Sequence, residues 1–313
     1  MISHDLRRAR RLKLRDIQML QVLAEAGSMA AGAAQLALSQ PAISKAMSEM
    51  ERSLGAQLLD RTSRGVELTK SGRVWLERGR VILDEARQGM IDLEHLSDPN
   101  RGEVKIGTTE PPAAIVSQII NALSRRHPRI TFEISVGDSA SLGRQLRERK
   151  LDVLIAFWIP TKDNDDLKAD ILYKAAFAVM ADHRHALVRR KGLSLSDLIG
   201  EHWTLAPSDS FQGRLVEDFF RRRKLKVPQA AVTTSSAYMS LNLLATGRFL
   251  SVLPVTMLRH PSNRGWLRAL SVELGDTAGA IATITLKKRR AGGAVKLFVD
   301  ECRSVCQDAF RAK

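Results

Sequence analysis

Gln40 and Lys45 are side chains suited to reading a base pair. A glutamine amide sets a donor beside an acceptor and so matches the adenine edge, while a lysine ammonium reaches guanine or a phosphate. Both lie in Ser39-Gln40-Pro41-Ala42-Ile43-Ser44-Lys45. Ser39 reads as a helix N-cap, and Pro41 falls in the first turn, where a missing N–H costs little. Ile43, Met47, Met50 and Leu54 recur at i, i+4, i+7 and i+11 and predict a buried face. Gln40, Ser44, Lys45 and Ser48 are left on the other face. Such a helix makes no bonds. It presents polar tips to the edges of a duplex groove.

A reading helix needs a support that sets its angle. Leu14 to Ala26 carries Ile17, Leu20, Leu23 and Ala24 at helical spacing, and Gly27-Ser28 supplies a stop followed by an N-cap. Ser28 opens a short alanine-rich helix through Ala37, whose small side chains permit close approach of a second helix. Three helices with a tight turn between the second and third predict a helix-turn-helix. Leu58 to Arg61 and Val66 to Leu68 then read as two strands of a small hairpin or wing. Its Thr62, Ser63 and Arg64, with Ser28, are expected to hold phosphates and so fix register rather than sequence. A basic arm, Arg7, Arg8, Arg10, Arg11, Lys13 and Arg15, precedes the first helix.

Thr69 reads as the cap of a proline-free helix from Ser71 to Leu96, with Trp75, Ile82, Ala86, Met90 and Leu93 as its apolar stripe. A helix this long must bury that stripe, and a second copy of itself is the economical partner. Ser97-Asp98-Pro99-Asn100 is the expected boundary. Beyond it, strands over 104–106, 131–136 and 151–157 alternate with helices over 113–126 and 139–150. That alternation predicts a largely parallel sheet. A second run spans 175–180, 203–206, 211–224, 231–234, 238–246 and 249–253, and strand 281–286 and helix 294–310 return to the first sheet. The expected domains are 1–70, 71–98 and 101–313. The last is split into one lobe over 101–170 and 278–313 and another over 171–277.

Two α/β lobes imply a cleft at the carboxyl ends of their strands. Thr108, Thr109 and Ser139 in the first lobe, and Ser235 and Ser236 in the second, stand between a strand and a helix start. Hydroxyls and free N–H groups there favour anions such as carboxylates, though each residue also suits an ordinary N-cap. Phe157 and Ala206, at strand ends, are expected to line the cleft.

Composition removes other classes. Hydrophobic residues are 44% of the 313, enough for sizeable cores. No run approaches a membrane span, and the basic start lacks the apolar stretch of a signal peptide. A cytoplasmic protein with no membrane partner is expected. The net charge of +15 resides mostly beyond residue 100, in runs such as Arg221 to Lys224 and Lys287 to Arg290, which read as solvated faces. Two cysteines, Cys302 and Cys306, make neither a disulfide scaffold nor a zinc site. His183 and His185 read as a polar loop. Phosphate-loop, nucleophile-elbow and dinucleotide motifs are lacking, so no catalytic residue, metal or cofactor is expected.

Leu14 to Gly72 resembles the DNA-binding domain of LysR-type transcriptional regulators. The family's glycine-serine turn stands here as Gly27-Ser28, its Ser-Gln-Pro-Ala-Val/Ile-Ser as Ser39 to Ser44, and its Leu-Gly helix end as Leu54-Gly55. Leu58 to Arg61 matches Leu-Phe-x-Arg, and Leu68 to Gly72 matches Leu-Thr-x-x-Gly. Gly247 to Pro254 is similar to a stretch of the family's effector domain. Gly32 replaces one of a usual alanine pair, Ala30 and Ala31 stand at commonly polar positions, and Asp60 precedes the wing arginine. The resemblance implies an N-terminal all-α winged helix-turn-helix with a long linker helix, followed by a two-lobed α/β domain like periplasmic binding proteins. It implies double-stranded operator DNA as partner, a homodimer or homotetramer, contact with RNA polymerase, and a small-molecule inducer between the lobes. The alternative is an enzyme or solute-binding protein with an N-terminal assembly domain.

Overall fold

Helix-start serines and left-handed glycines punctuate the first hundred residues as the sequence predicts. The structure is a computed structural model that describes residues 12–62, 65–98, 100–275 and 277–311. The arm arginines Arg7, Arg8, Arg10 and Arg11, and wing residues Ser63 and Arg64, lie outside the described residues. The chain divides into two units, Met1–Ser97 and Asp98–Lys313.

In the first unit, α1 spans Leu14–Ala26 and ends on Gly27 at φ +66°. Helix α2 spans Met29–Gln35, two residues shorter than expected, because Ala37 turns into the left-handed region at φ +52°. Helix α3 spans Gln40–Leu54 and stops at Gly55, φ +68°. Leu20, Leu23, Ile43, Met47, Met50 and Leu58 form the core of this unit. Gly32 lies against α1: a Cβ there would stand 2.7 Å from Leu23 Cδ2, so alanine would require that side chain to shift. Strands β1, Leu59–Thr62, and β2, Gly65–Leu68, pair antiparallel, the first displaced by one residue from the expected wing and the second beginning one residue earlier. Gly65, at φ +132°, lies against the α1–α2 turn, where a Cβ would come within 2.2 Å of Gly27 O. Val66 N donates to that same carbonyl at 2.8 Å.

Helix α4 covers Lys70–Ser97. Trp75 packs against the core of this unit, while Ile82, Met90, Leu93 and Leu96 are 41, 61, 67 and 82% exposed, so the later part of the apolar stripe is open among the described residues.

The second unit holds two five-stranded sheets. The first is ordered β4 (Arg129–Val136), β3 (Arg101–Thr108), β5 (Val153–Trp158), β12 (Gly279–Leu286), β6 (Leu167–Ala175). Strands β4, β3 and β5 pair in parallel, and β12 runs antiparallel to both neighbours, so β6 points the same way as the first three. The sheet is therefore mixed, with four strands in one direction as the alternation predicts and β12 alone reversed. Helices α5, Ala113–Arg126, and α6, Ser139–Arg147, connect its parallel strands. The terminal helix α9, Gly293–Arg311, buries Phe298, Cys302 and Cys306 against Ile119 and Leu123. The second sheet is ordered β11 (Leu267–Ala269), β7 (Phe177–Asp182), β10 (Phe249–Pro254), β8 (His202–Leu205), β9 (Ala230–Thr233). Helices α7, Phe211–Arg222, and α8, Ala237–Leu244, belong to this lobe.

The expected lobe boundary at 170/171 falls inside β6. The sheets change over at Ala176, between β6 and β7, and again ahead of Gly279. Those two crossings are tied together: Phe177 N donates to Thr277 Oγ1 at 2.9 Å, and that hydroxyl donates to Phe177 O at 3.2 Å.

Two surface expectations change. Arg221 to Lys224 are exposed, but Arg289 of the second basic run is buried in an ion pair with Asp152 at 2.8 Å. His185 is 7% exposed and its Nδ1 accepts from Leu187 N, so it caps a short turn instead of sitting in an open loop. Among the described residues no helix is long and apolar enough to cross a membrane.

Candidate functional sites

The polar outer face of α3 forms because capping and packing use different residues of one helix. Ser39 Oγ accepts from Ala42 N at 3.4 Å and opens α3, while Ile43, Met47 and Met50 turn inward. Gln40, Pro41, Lys45 and Ser48 are exposed and Ser44 is half-buried, so the predicted polar tips share the outer face. Ser28 caps α2, accepting from Ala31 N at 3.1 Å, and is half-buried. Thr62 is exposed at the end of β1, with Oγ1 donating to Gly65 O at 3.4 Å. Ser28 and Ser39 therefore carry a structural duty in addition to any contact with phosphate.

The strand ends of the second unit sort the cleft residues. Thr108 is fully buried, and its hydroxyl donates to Thr109 O at 3.0 Å and Ile155 O at 3.2 Å, so it ties β3 to β5 and is withdrawn from any ligand. Thr109 Oγ1 is buried and has no hydrogen-bond partner among the described residues. Ser139 is exposed and is not the cap of α6: Asp138 is, accepting from Ser141 N at 2.9 Å. Ser235 is exposed and Ala206 is half-buried. Phe157 stacks on Phe211 at 4.7 Å and tilts against Phe177 at 5.2 Å, joining the apolar cores of both lobes. Gly279 lies under these rings, since a Cβ there would come within 2.7 Å of Phe157 and 3.0 Å of Phe211.

Ser236 is the expected helix-start hydroxyl, and it is already engaged. It caps α8, accepting from Met239 N at 3.1 Å, and donates to Glu110 Oε1 at 3.0 Å. Tyr238 N donates to Glu110 Oε2 at 2.9 Å. Glu110 belongs to the other lobe, in the segment from β3 to α5, so a carboxylate of lobe I seats on the N-terminus of a lobe II helix. At the opposite end of α8, Arg184 donates to Ala245 O at 2.6 Å while its Nε donates to Asp182 Oδ1 at 2.9 Å. Hydrogen bonding from Arg184 holds the Asp182 carboxyl below its ordinary value. An anion at the N-terminus and a cation at the C-terminus both complement the helix dipole.

Beside Glu110 lies a pocket of about 520 Å³, lined by Pro111, Tyr238, Leu241, Met257 and Trp266 among others. Its described lining includes one carboxylate, Glu110, and no Lys or Arg. Sequence reasoning missed both Glu110 and this pocket. A lone acidic residue ahead of Pro111-Pro112 gives no periodic signal, and its partners lie 126 and 128 positions away.

Comparison with known proteins accounts for both units. Residues 14–73 match the bacterial regulatory helix-turn-helix protein, lysR family, and residues 97–307 match the LysR substrate binding domain. The HTH-type transcriptional regulator GbpR of Azospirillum brasilense is 30% identical over 237 residues, 75% of this chain and 69% of that protein. The structure of a full-length OxyR variant from Pseudomonas aeruginosa covers 94% of this chain and 96% of its own, at TM-score 0.68 and 19% identity. Full-length CbnR in complex with its target DNA covers 94% and 100%, at TM-score 0.54 and 22% identity. The named relative is a transcriptional regulator, and the matches do not favour the enzyme or solute-binding alternative. With a helix-turn-helix in one matched region and a two-lobed α/β domain in the other, this chain belongs to the LysR family of transcriptional regulators.

Proposed function

We propose that α3 enters the major groove of operator DNA with Gln40, Ser44, Lys45 and Ser48 toward base edges and Ser39 and Pro41 at its entry. Ser28 and the wing residues Thr62, Ser63 and Arg64 hold the flanking phosphates. The observation that carries this reading is the division of α3 into a buried apolar face and an exposed polar one. The CbnR complex places a protein of this fold on its target DNA, which supports the same use here.

The uncovered stripe Ile82, Met90, Leu93 and Leu96 of α4 favours a homodimer through this helix, and a homotetramer is the larger assembly of the same kind. A small effector between the lobes then biases two arrangements of that oligomer by its difference in affinity for them. Thr109, Phe157 and Ala206 are the proposed lining, with Ser139, Ser235 and Ser236 at the rim. An anion such as a carboxylate, the class expected from helix-start hydroxyls, meets Glu110 already seated on Ser236, so a donor-bearing ligand is the better-supported occupant. Action on promoters in the cytoplasm, with contact to RNA polymerase, completes the proposal.

Footprinting of the full chain on its own promoter region at ~0.15 M salt tests it, since specific binding survives that screening where purely electrostatic binding fades. A protected site with inverted symmetry, lost in Gln40→Ala, is the expected result. Uniform protection without preferred sequence sinks the proposal.

A further inference from the structure

Glu110 departs from what a ligand cleft for anions should contain. Its carboxylate accepts from Ser236 Oγ, at 3.0 Å to Oε1 and 3.3 Å to Oε2, and from Tyr238 N at 2.9 Å. A free carboxylate ligand would seek this same set of donors at the start of α8. No ion pair to Glu110 occurs among the described residues, and its carboxylate is held by one helix-start N–H, of Tyr238, and by the Ser236 hydroxyl. The neighbouring strand-end segments add no cation. Residues 108–112, 137–139, 157–160, 206–210 and 234–236 contain Glu110, Asp138 and Asp209 but no Lys or Arg. The lining of the adjoining pocket carries Glu110 and His260 as its titratable groups and no Lys or Arg. The preceding residue in the chain, Thr109, has a buried Oγ1 without a hydrogen-bond partner among the described residues.

We propose that Glu110 is a built-in occupant of the anion seat at α8, and that it sets the ligand class of the cleft. Ligands that offer hydrogen-bond donors, hydroxyl or ammonium groups, are admitted beside it, and carboxylates are kept out. This rests on the reading of the inter-lobe cleft as the effector site and specifies what that site selects. The seat holds one negative charge. A second carboxylate entering it must either displace Glu110 or sit against it in a partly desolvated space, where like charges repel strongly. A polyol or an amine meets an acceptor with lone pairs to spare.

The test uses the intact chain and acetate as probe. Wild type, Glu110→Ala, Glu110→Gln and the double variant Glu110→Ala with Ser236→Ala are melted in sodium acetate and in sodium chloride of equal ionic strength. Glu110→Ala is expected to melt below wild type, and acetate at ~0.1 M is expected to restore several degrees, because a ligand bound to the native state alone raises its stability. Wild type, Glu110→Gln and the double variant should not distinguish acetate from chloride. Glu110→Gln keeps the shape and so separates loss of the seat from failure to fold. A panel of small alcohols, amines and carboxylates, read by the same melts, completes the experiment. Wild type should respond to alcohols or amines, and Glu110→Ala should gain at least a tenfold stronger response to carboxylates. Acetate that restores nothing in Glu110→Ala overturns the proposal, as does a carboxylate that stabilises wild type more than the variant. The acetate melt passes through neither DNA binding nor induction, so failure of the effector reading would show separately, as DNA binding indifferent to every ligand that shifts the melt.

Discussion

Arg289 and Asp152 meet at 2.8 Å with side chains 5% and 4% exposed. The pair is fully bonded: Arg289 also donates to Leu151 O at 2.8 Å, and Asp152 Oδ2 accepts from Lys105 N at 2.9 Å. It ties the end of β12 to the start of β5 and to β3.

Breaking this pair from one side strands a buried charge. Arg289→Met is expected to cost about 3 kcal/mol, and Asp152→Asn in the same chain should recover part of the loss. Urea denaturation of the three proteins checks it. By contrast, Arg222→Met in the exposed run should stay within ~0.5 kcal/mol of wild type.

On DNA, Lys45 and Gln40 should fail differently. Gln40→Ala is expected to flatten preference at one base position by about 1–3 kcal/mol. Lys45→Ala should weaken binding to every sequence and lower the slope of log affinity against log salt by ~0.9 if it serves a phosphate. Neither should move the melt. Ser39→Ala should, by about 1 kcal/mol, because it removes the N-cap of α3. Binding titrations at several salt concentrations, alongside melts, separate the three.

Thr109→Val replaces an unpartnered buried hydroxyl with a methyl group of similar size. An unpaired polar group costs free energy when dry, so the ligand-free variant should melt at or above wild type. Its response to a bound effector should be weaker. Equal ligand titrations for the two proteins would remove Thr109 from the site.

Cys306 has its thiol pushed up to about 12 by burial, and burial likewise raises Cys302. A raised acid holds its proton longer in the folded chain than in the unfolded one. Stability from these thiols is therefore complete below pH 9 and declines as pH rises from 9 toward 12. At pH 8 alkylation of native protein should be slow and should become fast in denaturant, measured by mass spectrometry. Rapid native labelling would place the thiols in the open.

The helical half of this protein was legible because its signals are local. Ser28, Ser39, Gly27 and Gly55 each declare a helix end within three or four residues, and Ile43, Met47 and Met50 show their period within one helix. The strand pattern was less complete. Strand β6 gives a weak signal because Leu167 to Ala175 lies at a sheet edge and carries Lys168, Asp170 and Lys174 among its apolar residues. Its antiparallel pairing with β12 depends on contacts more than a hundred residues apart. The cleft was legible as a place but not as a chemistry. Ser236 was visible as a hydroxyl at a helix start, yet its partner Glu110 comes from the opposite lobe, and no spacing rule connects them.

The double crossing between lobes has a consequence in time. Every strand of the second sheet comes from one continuous stretch, residues 177–269, so that lobe can complete itself as soon as the stretch leaves the ribosome. The first sheet cannot. Its β12 inserts between β5 and β6, and until residue 286 has been made, β6 has no neighbour to pair with. The lobe begun first is thus finished last, and a chain truncated before Gly279 would leave two strand edges bare and open to the wrong partner.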